Sequence, residues 1–172
     1  MRMVRQHPGN SASPNAAIAR ALGWYVRKRT GRGDVRIQAY GFDLELPRSS
    51  GSLSNFFYFG EAFEWQNINF LRAYLRAGDV VVDVGANVGM LTYAAAQLVG
   101  AEGAVHTFEP LPWAVDAIRQ NLKRNTLSHV ILHPVAVSDS CGSVFFTEDL
   151  DVSSHIQWES GQSISTSTVL VP

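Results

Sequence analysis

The segment from Val80 to Gly89 constrains the fold of this chain more than any other segment. Its first five residues, VVVDV, are mostly β-branched and apolar, and the next five, GANVG, form a turn bounded by glycines. Such an apolar run is typical of a strand that is covered on both faces of a sheet. A strand followed at once by a glycine turn and an amphipathic stretch predicts an α/β fold.

Strand and helix patterns continue to alternate after this turn. Apolar residues at helical spacing predict a helix over residues 90–99, and a second strand is predicted over 104–108. Pro112 is expected to open another helix. A third strand is predicted over 130–137, where Pro134 requires a sheet edge or a bulge. This succession implies parallel strand pairing with right-handed crossovers.

The first part of the chain predicts an extension made of helix and strand. Residues 1–13 are polar and are expected to be loose. Ser13 and Pro14 are a good helix start, and the helix is expected to end at Thr30-Gly31. Alternating apolar and acidic residues over 42–46 predict a half-buried strand.

Two further elements are predicted between this strand and Val80, and two after the third strand. Residues 48–54 are expected to form a loop, and residues 61–76 a helix whose apolar side chains share one face. The stretches 144–147 and 163–171 are prone to form strands. One option is that residues 163–171 fold back to cover the edge of the strand at 80–84.

Two carboxylates mark a candidate ligand site. Asp83 lies at the carboxyl end of the first strand, and Glu109 follows the second strand, 24 residues after Gly85. Open α/β sheets bind ligands at the carboxyl ends of their strands. The helix after the turn would present free backbone N–H groups to an anionic ligand group. A carboxylate at Glu109 can accept two hydrogen bonds from the vicinal hydroxyls of a ribose, which favours a nucleoside ligand.

The spacing of the turn glycines favours S-adenosylmethionine over a dinucleotide. Dinucleotide sites need G-x-G-x-x-G, and no G-x-G occurs between residues 80 and 92. Asn87 would crowd a pyrophosphate, whereas its amide can bind a carboxylate or order the loop. S-adenosylmethionine has no phosphate and needs carboxylate, amine and ribose contacts. A dinucleotide-dependent oxidoreductase remains the less favoured alternative.

Three segments resemble the FkbM-type methyltransferases. They are RAGDVVVDVGANVGMLTYAAAQ, AVHTFEPLPWAVDAIRQNLKRN and VILHPVAVSDSCG, and the resemblance covers about residues 56 to 150. These are class I enzymes with a Rossmann-like parallel sheet, which use S-adenosylmethionine mostly to O-methylate hydroxyl groups of small molecules or sugars. The resemblance therefore implies a methyltransferase whose acceptor is a small molecule or a sugar, with no nucleic acid partner.

The resemblance also implies roles for individual residues. Gly85, Ala86, Asn87 and Gly89 are expected to line the methionine end of the cofactor, and Glu109 is expected to hold the ribose. Ala136 and Val137 are expected near the adenine. Glu64 follows Phe63 in an element that precedes the first strand in the family, which would place Glu64 near the amino-acid end of the cofactor. Asp83 completes the set of cofactor-binding candidates.

The sequence departs from the family after residue 150. A further strand ending in a K-I-D-x-E-G type motif is missing, so the chain is expected to hold the first half of the sheet, truncated C-terminally. The edge of the strand at 80–84 would then be bare and prone to pairing. A catalytically incomplete scaffold, or a module that associates through this edge, is therefore an alternative. No catalytic residue is assigned.

Charge divides the chain at about residue 36. Residues 1–36 carry a net charge of +7 and the remainder −8, for a total of −1. We therefore predict a basic N-terminal arm and helix over 1–36 and a partial methyltransferase domain over 37–172. A basic segment on an acidic body can bind an anionic membrane surface, nucleic acid or an acidic partner.

Composition excludes several other classes of protein. Apolar residues make up 46% of the chain and charged residues 17%, so the chain can form a real core. No apolar stretch approaches the roughly 20 residues of a membrane span, and no secretory signal is recognised. The single cysteine, Cys141, cannot form an internal disulfide, which predicts a reducing, cytoplasmic setting. The five histidines have no zinc-site spacing, so no metal is predicted.

Overall fold

The computed structural model describes residues 2–60, 65–139, 142, 144–147, 156–157 and 168–171. The helices are α1 Arg2–Gln6, α2 Pro14–Thr30, α3 Gly51–Phe59, α4 Trp65–Tyr74, α5 Met90–Val99 and α6 Pro112–Arg124, with a 3-10 turn at Pro8–Asn10. The strands are β1 Val35–Ala39, β2 Phe42–Leu46, β3 Val80–Val84, β4 Ala104–Phe108, β5 Val130–His133, β6 Val144–Thr147, β7 Ile156–Gln157 and β8 Thr168–Val171. Among these residues, no helix is long and apolar enough to cross a membrane.

A parallel sheet of order β3-β4-β5 forms the centre of the described structure. Val80 pairs with Ala104, and Val105 pairs with Val130, both in parallel register. The predicted α/β fold and its parallel pairing are confirmed. The third strand is shorter than predicted because it ends at His133, directly before Pro134, which has no N–H to donate to a ladder.

One face of this sheet is covered and the other is open within the described residues. Helix α5 packs against β3 and β4, and its residues from Thr92 to Ala96 are buried. On the opposite face Val80, Val82 and Val84 are 58–68% exposed. The prediction that this strand is covered on both faces is therefore wrong for the described part of the chain, where no helix lies over these valines.

The strands near the carboxyl end of the chain form a sheet of their own. Strand β6 pairs antiparallel with β7 on one side and with β8 on the other. Strand β8 therefore does not cover the edge of β3, and the option that residues 163–171 do so is wrong for Thr168–Val171. Residues 163–167 lie outside the described residues.

Residues 2–13 are ordered by hydrogen bonds, which corrects the expectation of a loose start. Asn10 is buried, and its Nδ2 donates to the carbonyl oxygens of Val4 and Tyr58, at 2.8 and 3.0 Å. Arg20 donates to Asn10 Oδ1 at 2.9 Å. A side chain that satisfies three partners fastens α1 to the rest of the extension.

A two-residue hairpin follows α2. Tyr40 and Gly41 both have positive φ, 53° and 80°, which is the conformation of a type I′ turn. The predicted strand over 42–46 is confirmed as β2, whereas its partner β1 had not been predicted. The loop predicted over 48–54 is in part the start of α3, because the Ser50 hydroxyl accepts from Leu53 N and caps that helix.

Helix α4 occupies the middle of the region predicted as a helix over 61–76. Ile68 is buried, and Trp65, Leu71 and Leu75 are half-buried, so the predicted apolar face is the packed face. Residues 61–64 lie outside the described residues. The division of the chain at residue 36 stays a prediction.

Asn121 of α6 and Asn125, the residue that follows α6, join the hairpin to the parallel sheet domain. Asn121 Oδ1 accepts from Glu45 N at 2.7 Å, and its Nδ2 donates to Glu45 O at 2.9 Å. Asn125 makes the same two bonds to Asp43, at 2.9 and 2.8 Å. The spacing of four residues on a helix matches the spacing of two on the strand, so this asparagine pair satisfies the free edge of β2.

Replacing Gly103 with alanine is expected to destabilise the chain by about 1–3 kcal/mol. A Cβ at this position would lie 2.5 Å from Asp79 O and 2.7 Å from Val99 Cβ, so backbone has to move. Gly23→Ala is the matched control, because its Cβ would meet no atom within 4 Å. In the interior of α2 it is expected to stabilise by about 0.5–1 kcal/mol. Urea denaturation measures both effects, and equal unfolding midpoints for the two variants would contradict this account.

Candidate functional site

The turn between β3 and α5 is tied to the end of β4. Gly85, Asn87 and Gly89 all have positive φ, at 77°, 53° and 83°. The N–H groups of Gly85 and Ala86 both donate to Phe108 O, at 2.9 and 3.1 Å. Residues at the carboxyl ends of two neighbouring parallel strands are therefore brought together, as the sequence predicts.

Glu109 lies at the centre of this junction. Its carboxylate is buried, with the residue 4% exposed, and accepts from Asn87 N at 2.7 Å and from Leu111 N at 2.8 Å. Burial raises the pKa of Glu109, the N–H bonds from Leu111 and Asn87 partly offset that rise, and the negative charge of Asp83 adds to it. The carboxylate thus holds the two loops that follow β3 and β4 in one arrangement.

Asp83 is oriented by a chain of hydroxyl groups. Thr92 Oγ1 donates to Asp83 Oδ2 at 2.5 Å and lies 2.9 Å from Thr107 Oγ1. Thr107 is the partner of Asp83 in the sheet register. The two threonines, both fully buried, were not singled out by the sequence. The sequence feature that could have identified them is their position, since Thr107 lies two residues before Glu109 and Thr92 lies in the first turn of α5.

The backbone donors of the turn are already used. Besides the three N–H groups described above, Val88 N donates to Asn87 Oδ1 at 2.7 Å and Gly89 N donates to Ala86 O at 2.8 Å. Residues 85–89 therefore have no N–H group left for a ligand, whereas the expectation of free N–H groups concerns the first turn of α5, from Met90 on, and stays a prediction. Asn87 orders the loop, which was one of its two expected roles. A peptide carbonyl has two lone pairs, so the turn can still accept hydrogen bonds.

The two outer glycines of the turn differ in their surroundings. A Cβ at Gly85 would meet no atom within 4 Å, so the space above the turn is open. A Cβ at Gly89 would lie 3.0–3.1 Å from the ring and hydroxyl of Tyr93. Gly89 therefore permits close packing against the first turn of its own helix.

The remaining candidates are Ala136, Val137 and Glu64. Ala136 and Val137 follow the end of β5 by three and four residues, and Val137 is exposed. Glu64 lies outside the described residues. His106 and His133 contact each other across β4 and β5, with Nδ1 and Nε2 3.1 Å apart.

The site's polar groups suit a nucleoside with a cationic tail. Glu109 supplies an ionisable acceptor at the end of β4, and the turn offers acceptors with open space over Gly85. The ribose hydroxyls and the ammonium group of S-adenosylmethionine are hydrogen-bond donors. A set of acceptors therefore fits the ribose and the ammonium group of this cofactor.

Comparison with known proteins identifies methyltransferases as relatives. The chain is 44% identical over 61 residues to ribosomal protein L11 methyltransferase of Geobacillus kaustophilus, covering 36% of this chain and 19% of that protein. It is also 44% identical over 69 residues to 31-O-demethyl-FK506 methyltransferase FkbM of Streptomyces tacrolimicus, covering 40% of this chain and 25% of that protein. No family model matches the chain.

A solved structure aligns over a similar share of the chain. Precorrin-6y C5,15-methyltransferase of Geobacter metallireducens is 27% identical and covers 41% of this chain and 36% of that one, with a TM-score of 0.37. Both sequence relatives are methyltransferases by name, the class of enzyme that the sequence predicts for this chain. Since both L11 and FkbM enzymes match, the FkbM type in particular is not confirmed. The chain spans about a fifth to a quarter of the curated relatives it matches.

Proposed function

We propose that this chain forms the cofactor-binding part of an S-adenosylmethionine-dependent methyltransferase of FkbM type. The observation that carries the proposal is the position of Glu109, whose buried carboxylate lies against the glycine turn at the ends of β3 and β4. At this edge of a sheet, such a cofactor needs a carboxylate that binds its ribose hydroxyls and a turn that binds its amino-acid group.

Each part of the cofactor has proposed partners in the chain. Glu109 would hold the ribose hydroxyls, and the turn over 85–89, with Asp83 behind it, would hold the methionine end. Ala136 and Val137 would lie beside the adenine, and Glu64 near the amino-acid group. The cofactor supplies a methyl group on a sulfonium centre for transfer to a nucleophile. The contribution of these residues is to bind and orient it.

The acceptor we propose is a hydroxyl group of a small molecule or a sugar. The match to 31-O-demethyl-FK506 methyltransferase supports this acceptor class by its name. The name of the other relative refers to a ribosomal protein, so the two relatives share a methyl-transfer reaction and differ in what receives the methyl group. No general base is assigned among the residues of the chain.

The hydrogen bonds of the turn count against a dinucleotide. A pyrophosphate is bound by backbone N–H groups at such a turn. The N–H groups of residues 85–89 are all bonded within the protein, two of them to Phe108 O and one to Glu109. A dinucleotide would therefore have to break these bonds before it gained its own.

The test is calorimetric titration of the chain with S-adenosylhomocysteine and, separately, with NADH. Saturable binding of the first and no binding of the second are expected. The Asp83→Ala and Glu109→Ala variants should lose the binding while still folding, as judged by circular dichroism. A folded wild-type chain that fails to bind S-adenosylhomocysteine at millimolar concentration contradicts the proposal.

A second candidate function rests on the open strand β3. Its outward valines are exposed, and within the described residues its only sheet neighbour is β4. A scaffold that pairs with another copy through this edge would form a concentration-dependent dimer. Light scattering that finds a monomer at every concentration would exclude this candidate.

The affinity for S-adenosylhomocysteine is expected to fall as the pH is lowered. The pKa of Glu109 is raised above the ordinary value of 4.5, so the carboxylate becomes protonated, and loses acceptor strength, already above that pH. Below the midpoint the affinity should drop by up to about tenfold per pH unit. Calorimetry between neutral and acidic pH measures this, and Glu109→Gln should give a flat profile. An equally steep fall in that variant would assign the effect to another group.

A further inference from the structure

Helix α2 has an apolar face that the described residues leave exposed. Its packed face contains Ala17, Ala21 and Trp24, and this face lies against α3 and α1. Leu22, Tyr25 and Val26 are 51–57% exposed. Residues spaced by three and four lie on the same side of a helix, so these three side chains form one patch. We call them the α2 apolar patch.

The helix that carries this patch is basic and contains no acid. No aspartate or glutamate occurs in residues 1–33. Arg27, Lys28 and Arg29 form the last turn of α2, and Arg32 follows it. The guanidinium carbon of Arg29 lies 3.6 Å from the centre of the Tyr25 ring, so a cation lies directly over the apolar patch.

The end of α2 is held in place by the rest of the protein. Arg48 donates to the carbonyl oxygens of Arg27, Arg32 and Gly33 at 2.8, 3.3 and 3.0 Å. Lys28 Nζ donates to Ser54 Oγ at 2.8 Å. The backbone that carries the exposed side chains is therefore already held in place, so little conformational entropy is lost when this surface binds a partner.

Helix α1 extends the same kind of surface. Val4 packs with Ala17 and Ala21 of α2, which fixes α1 against it. On the other side of α1, Met3 is 76% exposed, with exposed Arg2 and Arg5 beside it. Helices α1 and α2 thus both carry large exposed apolar side chains, and the charged residues on both helices are all basic.

We propose that the α2 apolar patch and the arginines around it bind the surface of an anionic lipid bilayer. Helices that lie in a membrane interface insert apolar side chains between headgroups while basic residues pair with anionic lipid. Charge complementarity accounts for the acid-free sequence, and insertion accounts for the exposed Leu22 and Val26. A nucleic acid would use the cations but would leave the aliphatic side chains without a partner, so lipid is the favoured occupant.

Co-sedimentation with vesicles tests this surface. The full chain is mixed with vesicles of phosphatidylcholine plus phosphatidylserine, and with vesicles of phosphatidylcholine alone. Binding is expected to the first and to weaken with added salt. Leu22→Gln/Val26→Gln and Arg29→Gln/Arg32→Gln should each lower the partition coefficient by at least about tenfold, since a single basic residue contributes roughly fivefold. All four positions are exposed, so folding should be retained.

Arg72→Gln/Lys123→Gln is the matched control. It removes the same charge from exposed positions of α4 and α6, and it should leave vesicle binding within about twofold of wild type. Equal loss in this control would mean that net charge, and not the α2 surface, drives binding. Binding of single-stranded RNA is measured in parallel by fluorescence anisotropy. RNA binding lost in Arg29→Gln/Arg32→Gln, without vesicle binding by wild type, would overturn the proposal in favour of a nucleic acid surface.

Discussion

Replacing Glu109 with alanine is expected to weaken S-adenosylhomocysteine binding by a hundredfold or more. A hydrogen bond to a charged group contributes about 1.5–3 kcal/mol, and the ribose would form two of them with this carboxylate. The variant also frees the N–H groups of Asn87 and Leu111, so the turn loses the bonds that order it. Calorimetric titration measures the loss, and thermal unfolding verifies that the variant is folded.

Asp116→Ala is the control for this loss. It removes a carboxylate of equal charge from the exposed side of α6, where Asp116 pairs with Arg119 at 2.7 Å. Its affinity for S-adenosylhomocysteine should equal that of wild type. If Glu109→Ala also kept wild-type affinity, the ribose assignment would be wrong and the cofactor would have to bind elsewhere on the sheet.

The largest loss of stability is expected for Asn121→Leu. Asn121 is fully buried and makes both hydrogen bonds to the backbone of Glu45. Leucine has a similar size, so the change leaves the half-buried N–H and carbonyl of Glu45 without these partners, at about 1–3 kcal/mol each. We expect the free energy of unfolding to fall by about 2–5 kcal/mol, measured by urea denaturation.

Gln120→Leu makes the same chemical change one residue away on the exposed side of α6. It should alter the free energy of unfolding by less than about 0.5 kcal/mol. Asn125→Ala should lie between the two variants, because Asn125 is only partly buried and water can replace its amide. A loss below about 1 kcal/mol for Asn121→Leu would mean that the hairpin is held by apolar packing instead.

The sequence predicts the parallel sheet closely because local signals agree there. The bounds of β3, α5 and β4 match the predicted ones, since glycines and prolines mark their ends and each apolar pattern has one period. Glu109 was predictable for the same reason, because it follows a clear strand at the edge where ligands bind.

The parts that could not be predicted depend on contacts between distant residues. Strand β1 was predictable from the alternation of apolar and polar residues in V-R-I-Q-A, whereas the asparagine pair that holds its partner β2 was not. The order of α1 rests on Asn10, whose partner Tyr58 is 48 residues away. The hydrogen bonds from the N–H groups of the turn to Phe108 and Glu109 could not be predicted either, since only the fold brings these residues together.

The asparagine pair also fixes when the hairpin can mature during synthesis. Its partners on β2 are separated from it by 76 and 82 residues, so the ribosome has to make α6 before the edge of β2 is satisfied. Until then the hairpin leaves the ribosome with open hydrogen-bonding groups beside its apolar face, a state that favours pairing with other nascent chains. Slow translation between residues 46 and 121 would prolong this exposure, so the yield of folded protein should depend on codon choice in that interval.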